Sequence, residues 1–201
     1  MTDRSGIFAG DDPFEIARTW MAEAARSEPN DPDAAALATV DENGLPDVRV
    51  VLVRQITEGA FTFFTNYESA KGREILGSGK AALNFHWKSL RRQIRVRGRA
   101  EKAPESISDT YFAARHPVSR IGAWASKQST VLENRAELEK RVETIKKQFG
   151  DNAPRPPHWG GFAIIPTQIE FWCDGANRLH DRFLWVNSPD TGKWIVSRLN
   201  P

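Results

Sequence analysis

Apolar positions along the chain repeat in two different periods, and the switches between them mark its elements. Asp12-Pro13-Phe14-Glu15 reads as a helix start, with Asp as N-cap, Pro at the first helical position and Glu three residues after the cap. Phe14, Ala17, Met21 and Ala24 follow at helical spacing and give that helix one apolar face. Strand-like runs at 36–40 and 48–53 then flank Asp41-Glu42-Asn43-Gly44, where Asn-Gly is a strong hairpin signal. Residues 61–65 continue the sheet, a helix from about 69 to 76 ends in Gly77, and strands near 81–85 and 93–100 follow.

Pro104-Glu105 starts a further helix that His116-Pro117 stops. Leu138, Val142, Ile145 and Phe149 mark one face of a longer, charged helix closed by Gly150. A Pro-rich stretch at 153–157 leads into strands at 162–165, 169–172, 179–186 and 194–199. Residues 1–11 lack such patterning and are expected to be flexible, leaving 12–201 as a single domain. Many short strands in hairpin order, with helices inserted, predict a mainly β fold, an antiparallel barrel decorated by helices.

Composition narrows the class. The 201 residues are 40% hydrophobic, with 7 Trp and 11 Phe, enough for a core and for a subunit interface. A net charge of +2 gives no support for nucleic-acid binding. The single cysteine, Cys173, excludes an intrachain disulfide and fits a reducing cytoplasm. The N-terminus lacks the apolar run of a signal peptide, and no stretch approaches a membrane span. No Gly-x-Gly-x-x-Gly or Gly-x-Ser-x-Gly occurs, and Gly77-Ser78-Gly79-Lys80 lacks the flanking residues of a P-loop. Four scattered histidines offer no metal-ligand spacing, so no metal is expected.

What remains is a set of anion-friendly clusters. If Arg178 to about Val186 is a strand, then Arg178, His180 and Arg182 project from one face, roughly 6.5 Å apart. Two guanidiniums flanking an imidazole suit a planar anion, although a solvated strand face has the same pattern. Tyr111 and Arg115 lie four apart on one helix face, and Ser119 follows the Pro117 break, where a new helix could expose free N–H groups. Together they suit a phosphate; alternatively, Arg115 pairs with an acidic neighbour and Ser119 is a cap. Lys71, in the first turn of the helix after Ser69, is either a phosphate ligand or a solvated lysine. Arg91, Arg92, Arg95, Arg97 and Arg99 have no interleaved aromatic platform for RNA, and their alternation with Ile94 and Val96 is that of a one-sided sheet.

From Asp12 to Pro201 the chain resembles the pyridoxamine 5′-phosphate oxidase (pyridoxine 5′-phosphate oxidase) family, flavin enzymes of the last step of vitamin B6 synthesis. Six ordered blocks plus the C-terminus carry the resemblance: Phe64-Thr65-Asn66, Gln93-Ile94-Arg95-Val96, the stretch 119–129, Pro156-Pro157-His158-Trp159-Gly160-Gly161, Ile169-Glu170-Phe171-Trp172, Asn177-Arg178-Leu179-His180-Asp181-Arg182-Phe183 and Arg198-Leu199-Asn200-Pro201. The resemblance implies an FMN-binding split β-barrel homodimer, with FMN at the subunit interface and about 159–201 forming a dimerisation and substrate segment. FMN contacts are then expected from Arg49, Val50, Val51, Leu52, Val53, Arg54, Phe64, Thr65, Lys71, Gln93, Gln128, Ser129, Trp172 and Arg182. Substrate contacts are expected from Arg54, Tyr111, Arg115, Ser119, Arg178 and His180, the last two covering the pyridine ring and serving catalysis.

Two positions depart from the family pattern. Arg54 stands where Lys is usual, exchanging a compact ammonium for a planar fork. Ala70 stands where Arg usually precedes Lys71, which removes one cation from the expected FMN phosphate site unless Arg73 or a backbone amide replaces it. The implied activity is oxidation of pyridoxamine or pyridoxine 5′-phosphate to pyridoxal 5′-phosphate, with O2 reduced to H2O2. Another flavin oxidoreductase of the same fold, or a non-catalytic binder of FMN or pyridoxal phosphate, are the rival expectations.

Overall fold

The computed structural model describes residues 4–201. Helix α1 spans Pro13–Ser27, and the Asp12 carboxylate accepts from the Phe14 amide at 2.8 Å, satisfying one of the donors a helix start leaves open. Strands β1 (Ala34–Val40), β2 (Pro46–Ile56) and β3 (Phe61–Asn66) precede helix α2 (Ala70–Ser78). Strands β4 (Lys80–Trp87) and β5 (Arg92–Lys102) lead to three consecutive helices, α3 (Glu105–Ala113), α4 (Pro117–Ala125) and α5 (Arg135–Phe149). Strands β6 (Trp159–Cys173), β7 (Asp181–Asn187) and β8 (Trp194–Arg198) complete the chain.

The strands form one antiparallel sheet in the order β3-β2-β1-β4-β5-β6-β7-β8, and β3 also pairs with β6. Six strands thereby close into a barrel with no free edge, and β7 and β8 extend from β6 outside it. Alternation fills the barrel: Leu37, Phe63, Leu83, Phe85, Ile94, Val96, Phe162 and Phe171 are all buried on the inner face. The mainly β barrel expected from the sequence is the fold observed.

Strand β6 organises the molecule. Its first half pairs with β3, from Asn66↔Trp159 to Phe61↔Ile164, and its second half pairs with β7, from Gln168↔Val186 to Cys173↔Asp181. The sequence reading split this strand at Pro166, but the strand runs through, across a register shift at Arg97/Gly98 on β5. Gly98 is required there, because a Cβ would lie 2.1 Å from the Ile165 carbonyl oxygen.

Three further expectations are corrected. Helix α2 passes Gly77 and ends at Gly79, whose left-handed backbone (φ 64°) returns its N–H to the Ile75 carbonyl at 2.8 Å. Residues 4–11 are docked rather than flexible: Phe8 is buried against Trp20 and Phe183, with ring centroids 5.5 and 4.9 Å away. Residues 1–3 lie outside the described residues. Strand β7 begins at Asp181, not at 179, because Asn177 and Arg178 take left-handed conformations (φ 54° and 64°) in a tight loop.

Candidate active site

A cavity of about 540 Å³ opens beside the barrel, between β2, β3 and the start of α2 on one side and α3 and α4 on the other. Val50, Val51 and Leu52 supply its apolar wall, and a register shift between Val53 and Gln55 turns Arg54 to its rim. Phe64, Tyr111 and Trp159 stand nearly parallel in its floor; Phe64 and Tyr111 stack at 3.9 Å with 3° between planes. Gly161 allows this, since a Cβ there would come within 3.1 Å of the Phe64 ring.

Three cations line the cavity; Arg54 pairs with Asp33, whereas Arg115 and Lys71 pair with no carboxylate among the described residues. The Arg115 guanidinium lies 4.7 Å over the Trp159 ring and 5.5 Å over Phe112, and its buried Nη1 has no hydrogen-bond partner. Burial lowers its pKa below the ordinary guanidinium value. Tyr111 and Ser119 line the same corner. The expectation of free N–H groups at the start of α4 is corrected: Val118 donates to the His116 ring and Ser119 to the His116 carbonyl, so Ser119 offers its hydroxyl. The other of these two, Lys71, donates to Gln128 Oε1 at 3.1 Å, an atom that also accepts from the Thr65 hydroxyl at 3.3 Å. Burial, and then the Arg49 charge, hold the Lys71 ammonium below its usual 10.5.

Of the remaining expected contacts, only Arg54 also lines the cavity. Arg49 is tied to Asp47, Thr39 and Glu74 and does not line the cavity, though its charge acts on Lys71. Val53 is buried in the barrel core. Arg54 is ion-paired to Asp33 at 2.6 Å. Ser129, in a left-handed conformation (φ 66°), follows Gln128 and is exposed. Ala70 faces a separate hollow with Arg73 and Glu74, and Arg73, which donates to the Glu68 carbonyl, does not line the cavity.

Gln93, Trp172 and Arg182 do form one row across β5, β6 and β7, in register as Gln93↔Trp172↔Arg182. The His180 ring lies 4.7 Å from the Trp172 ring. Arg178, His180 and Arg182 do not share a strand face, because Arg178 sits exposed in the loop before β7. Gly175 closes that loop: a Cβ would lie 2.0 Å from the Leu179 carbonyl oxygen. His180 Nδ1 lies 3.2 Å from the Gly175 amide and 3.1 Å from an Asp174 carboxylate oxygen. An unprotonated Nδ1 accepts from Gly175, and a protonated one donates to Asp174, so these two groups hold the ring in either state.

None of this second group lines the cavity. Trp159 and Trp172 stand near opposite ends of β6, 13 residues or about 40 Å of strand apart. Within one protomer the two groups of residues therefore lie apart.

The profile of the pyridoxamine 5′-phosphate oxidase family matches residues 21–149. The chain belongs to this family. The profile of the family's C-terminal dimerisation region matches residues 159–201, the segment holding β6, β7, β8 and the Trp172, His180 and Arg182 group. A pyridoxine/pyridoxamine 5′-phosphate oxidase of Roseobacter denitrificans is 56% identical over the whole of both chains, and one of Cereibacter sphaeroides is 57% identical over 99% of this chain. Among solved structures, PhzG from Burkholderia lata, in complex with tetrahydrophenazine-1-carboxylic acid, superposes with a TM-score of 0.88 at 30% identity, covering 96% of this chain and 94% of its own. A related FMN binding protein from Nostoc punctiforme shares the fold, with a TM-score of 0.75 at 18% identity.

Several members of the site were not singled out from sequence. Trp159, which carries the Arg115 guanidinium, and Glu170 and Asp174, which hold Arg182 and His180, become visible only through contacts between distant strands and loops. Trp159 and Glu170 lie inside the blocks that carry the family resemblance, so the signal was present without a role attached.

Proposed function

We propose that the protein oxidises pyridoxamine 5′-phosphate and pyridoxine 5′-phosphate to pyridoxal 5′-phosphate with FMN, in a homodimer whose two active sites each combine half-sites from both subunits. The observation that carries this reading is one cavity lined by two cations without a carboxylate hydrogen-bond partner among the described residues, Lys71 and Arg115, which suits a ligand set with two phosphates. The donors fit FMN at the Lys71, Thr65 and Gln128 corner and the substrate phosphate at the Arg115, Tyr111 and Ser119 corner. The partner's second half-site, with Trp172, Arg182, Arg178 and His180, then closes over the rings.

FMN, which Lys71, Thr65 and Gln128 would hold, would supply a two-electron acceptor for oxidation at the substrate C4′, with O2 as final oxidant reduced to H2O2; for the amine, one water is consumed and ammonia released. The chain's own residues position and shield. Arg115, rigidly stacked on Trp159, anchors the phosphate and fixes the distance of the ring from it. Arg178 and His180 orient the ring and its C4′ substituent, and the apolar Val50–Leu52 wall limits water. No helix among the described residues is long and apolar enough to cross a membrane, and the single free Cys173 is consistent with a cytoplasmic enzyme. The test is to load purified protein with FMN, add pyridoxamine 5′-phosphate and measure H2O2 and pyridoxal phosphate. One H2O2 per pyridoxal phosphate is expected; protein that gains no flavin absorbance, or that binds flavin without turnover, overturns the proposal.

A further inference from the structure

We propose that Glu170 is a positioning residue of the flavin site, acting through Arg182. The proposal rests on the FMN contact assigned to Arg182 above. Glu170 sits on β6 between Arg95 on β5 and the β7 strand that carries Arg182, and it is only 7% exposed. Its Oε1 accepts from Arg182 Nε at 2.8 Å and lies 2.7 Å from Arg182 Nη2 as an ion pair, while its Oε2 accepts from Arg95 Nη1 at 2.9 Å. Arg182 Nη1 donates to the Asn200 carbonyl at 3.0 Å. An arginine has five N–H donors. Two of those on Arg182, on Nε and Nη1, are taken by protein acceptors, which with the close Nη2 ion pair fixes the guanidinium plane and leaves three for a ligand. The Arg182 row-mates on that face are Trp172 and Gln93.

A role as a mere strand tie fits less well. Backbone pairing already joins β5, β6 and β7 at Arg95↔Glu170↔Leu184. The Arg95 side chain is 56% exposed, where an ion pair contributes little. The less exposed side of the network, a hydrogen bond and a close ion pair, points at Arg182 instead. Two arginines on one carboxylate also leave a net positive charge on that face, so Glu170 orients Arg182 without cancelling it.

The test is a double-mutant cycle on the full-length dimer, read as the FMN dissociation constant by flavin fluorescence, with apoprotein melting temperature measured in parallel. Glu170→Gln is expected to weaken FMN at least about tenfold, the scale of a hydrogen bond to a charged group. In an Arg182→Ala background the same change is expected to add less than about twofold, because the two residues act as one unit. Arg95→Gln, which leaves the Arg182 clamp intact, is expected to stay within about twofold of wild type. If Glu170→Gln does not fold, Glu170→Asp is carried through the same cycle. An unchanged dissociation constant, an undiminished effect in the Arg182→Ala background, or an equal effect from Arg95→Gln overturns the inference. Unchanged FMN binding in Arg182→Ala alone instead removes the flavin contact on which the inference stands.

Discussion

Arg115→Ala tests the phosphate corner where the structure makes the sharpest forecast. The guanidinium is stacked on Trp159, its Nη1 is buried without a partner, and no carboxylate neutralises it among the described residues. A phosphate bound there gains two charge-assisted hydrogen bonds in a fixed fork geometry, each worth about 1.5–3 kcal/mol. Because the two share one desolvation, about 3 kcal/mol in total is a fair magnitude, or roughly a hundredfold in affinity. We therefore expect kcat/KM for pyridoxamine 5′-phosphate to fall roughly a hundredfold, mostly through KM, with a smaller loss in kcat because anchoring also orients the ring. Unphosphorylated pyridoxamine lacks the anchored group, so its kcat/KM should change less than about threefold. FMN affinity should not change. Steady-state H2O2 release with both substrates decides the matter: equal losses for the two would refute Arg115 as the phosphate anchor.

Lys71 carries a pH signature. Its pKa is lowered by burial, so FMN affinity should hold at neutral pH and fall as pH rises through a value below 10.5, while Lys71→Arg, which does not titrate there, keeps its affinity. The same lowering means that the apoprotein gains stability as pH rises through that range, since the folded state releases this proton first. A flat wild-type FMN titration up to pH 10.5 would contradict the assignment. Gly175→Ala drives a Cβ against the Leu179 carbonyl, so the loop presenting Arg178 and His180 must shift; kcat/KM should drop at least about tenfold with FMN still bound, and wild-type kinetics would show that the loop is not used. His180→Ala should lower kcat/KM by at least about tenfold (~1.4 kcal/mol) without lowering the melting temperature, because the ring is partly exposed; a collapsed melting temperature would assign it to structure.

The barrel was legible because its signals are local. The Asp12 cap, the Asn43-Gly44 hairpin and the Pro117 break each act within a few residues, and each falls at an element boundary in the structure. Periodicity failed where a local pattern had two physical solutions. The apolar run at 179–186 is a strand from Asp181 onward, but left-handed Asn177 and Arg178 redirect the loop before it, so the triplet Arg178, His180 and Arg182 is not one strand face. Site residues named from the family resemblance fell into two groups on opposite ends of β6, a separation that spacing along the chain does not reveal. The pairing of Arg54 with Asp33, and of Arg49 with Asp47 and Glu74, was likewise invisible, since the acidic partner of each lies on another element or across a turn of strand.

The central claim is that each active site is assembled from two protomers, and subunit mixing tests it most directly. Arg115→Ala disables the cavity half-site and His180→Ala the second half-site; assayed with substrate well below the wild-type KM, each variant alone is expected to have little activity. Unfolded together in equal amounts and refolded, they should form about half mixed dimers, each with one doubly altered and one intact site, restoring about a quarter of wild-type H2O2 production. Recovery to that level, absent when each variant is refolded alone, is the predicted result. Activity in the mixture no higher than the average of the two variants would mean that both half-sites serve the same protomer, and would contradict the account.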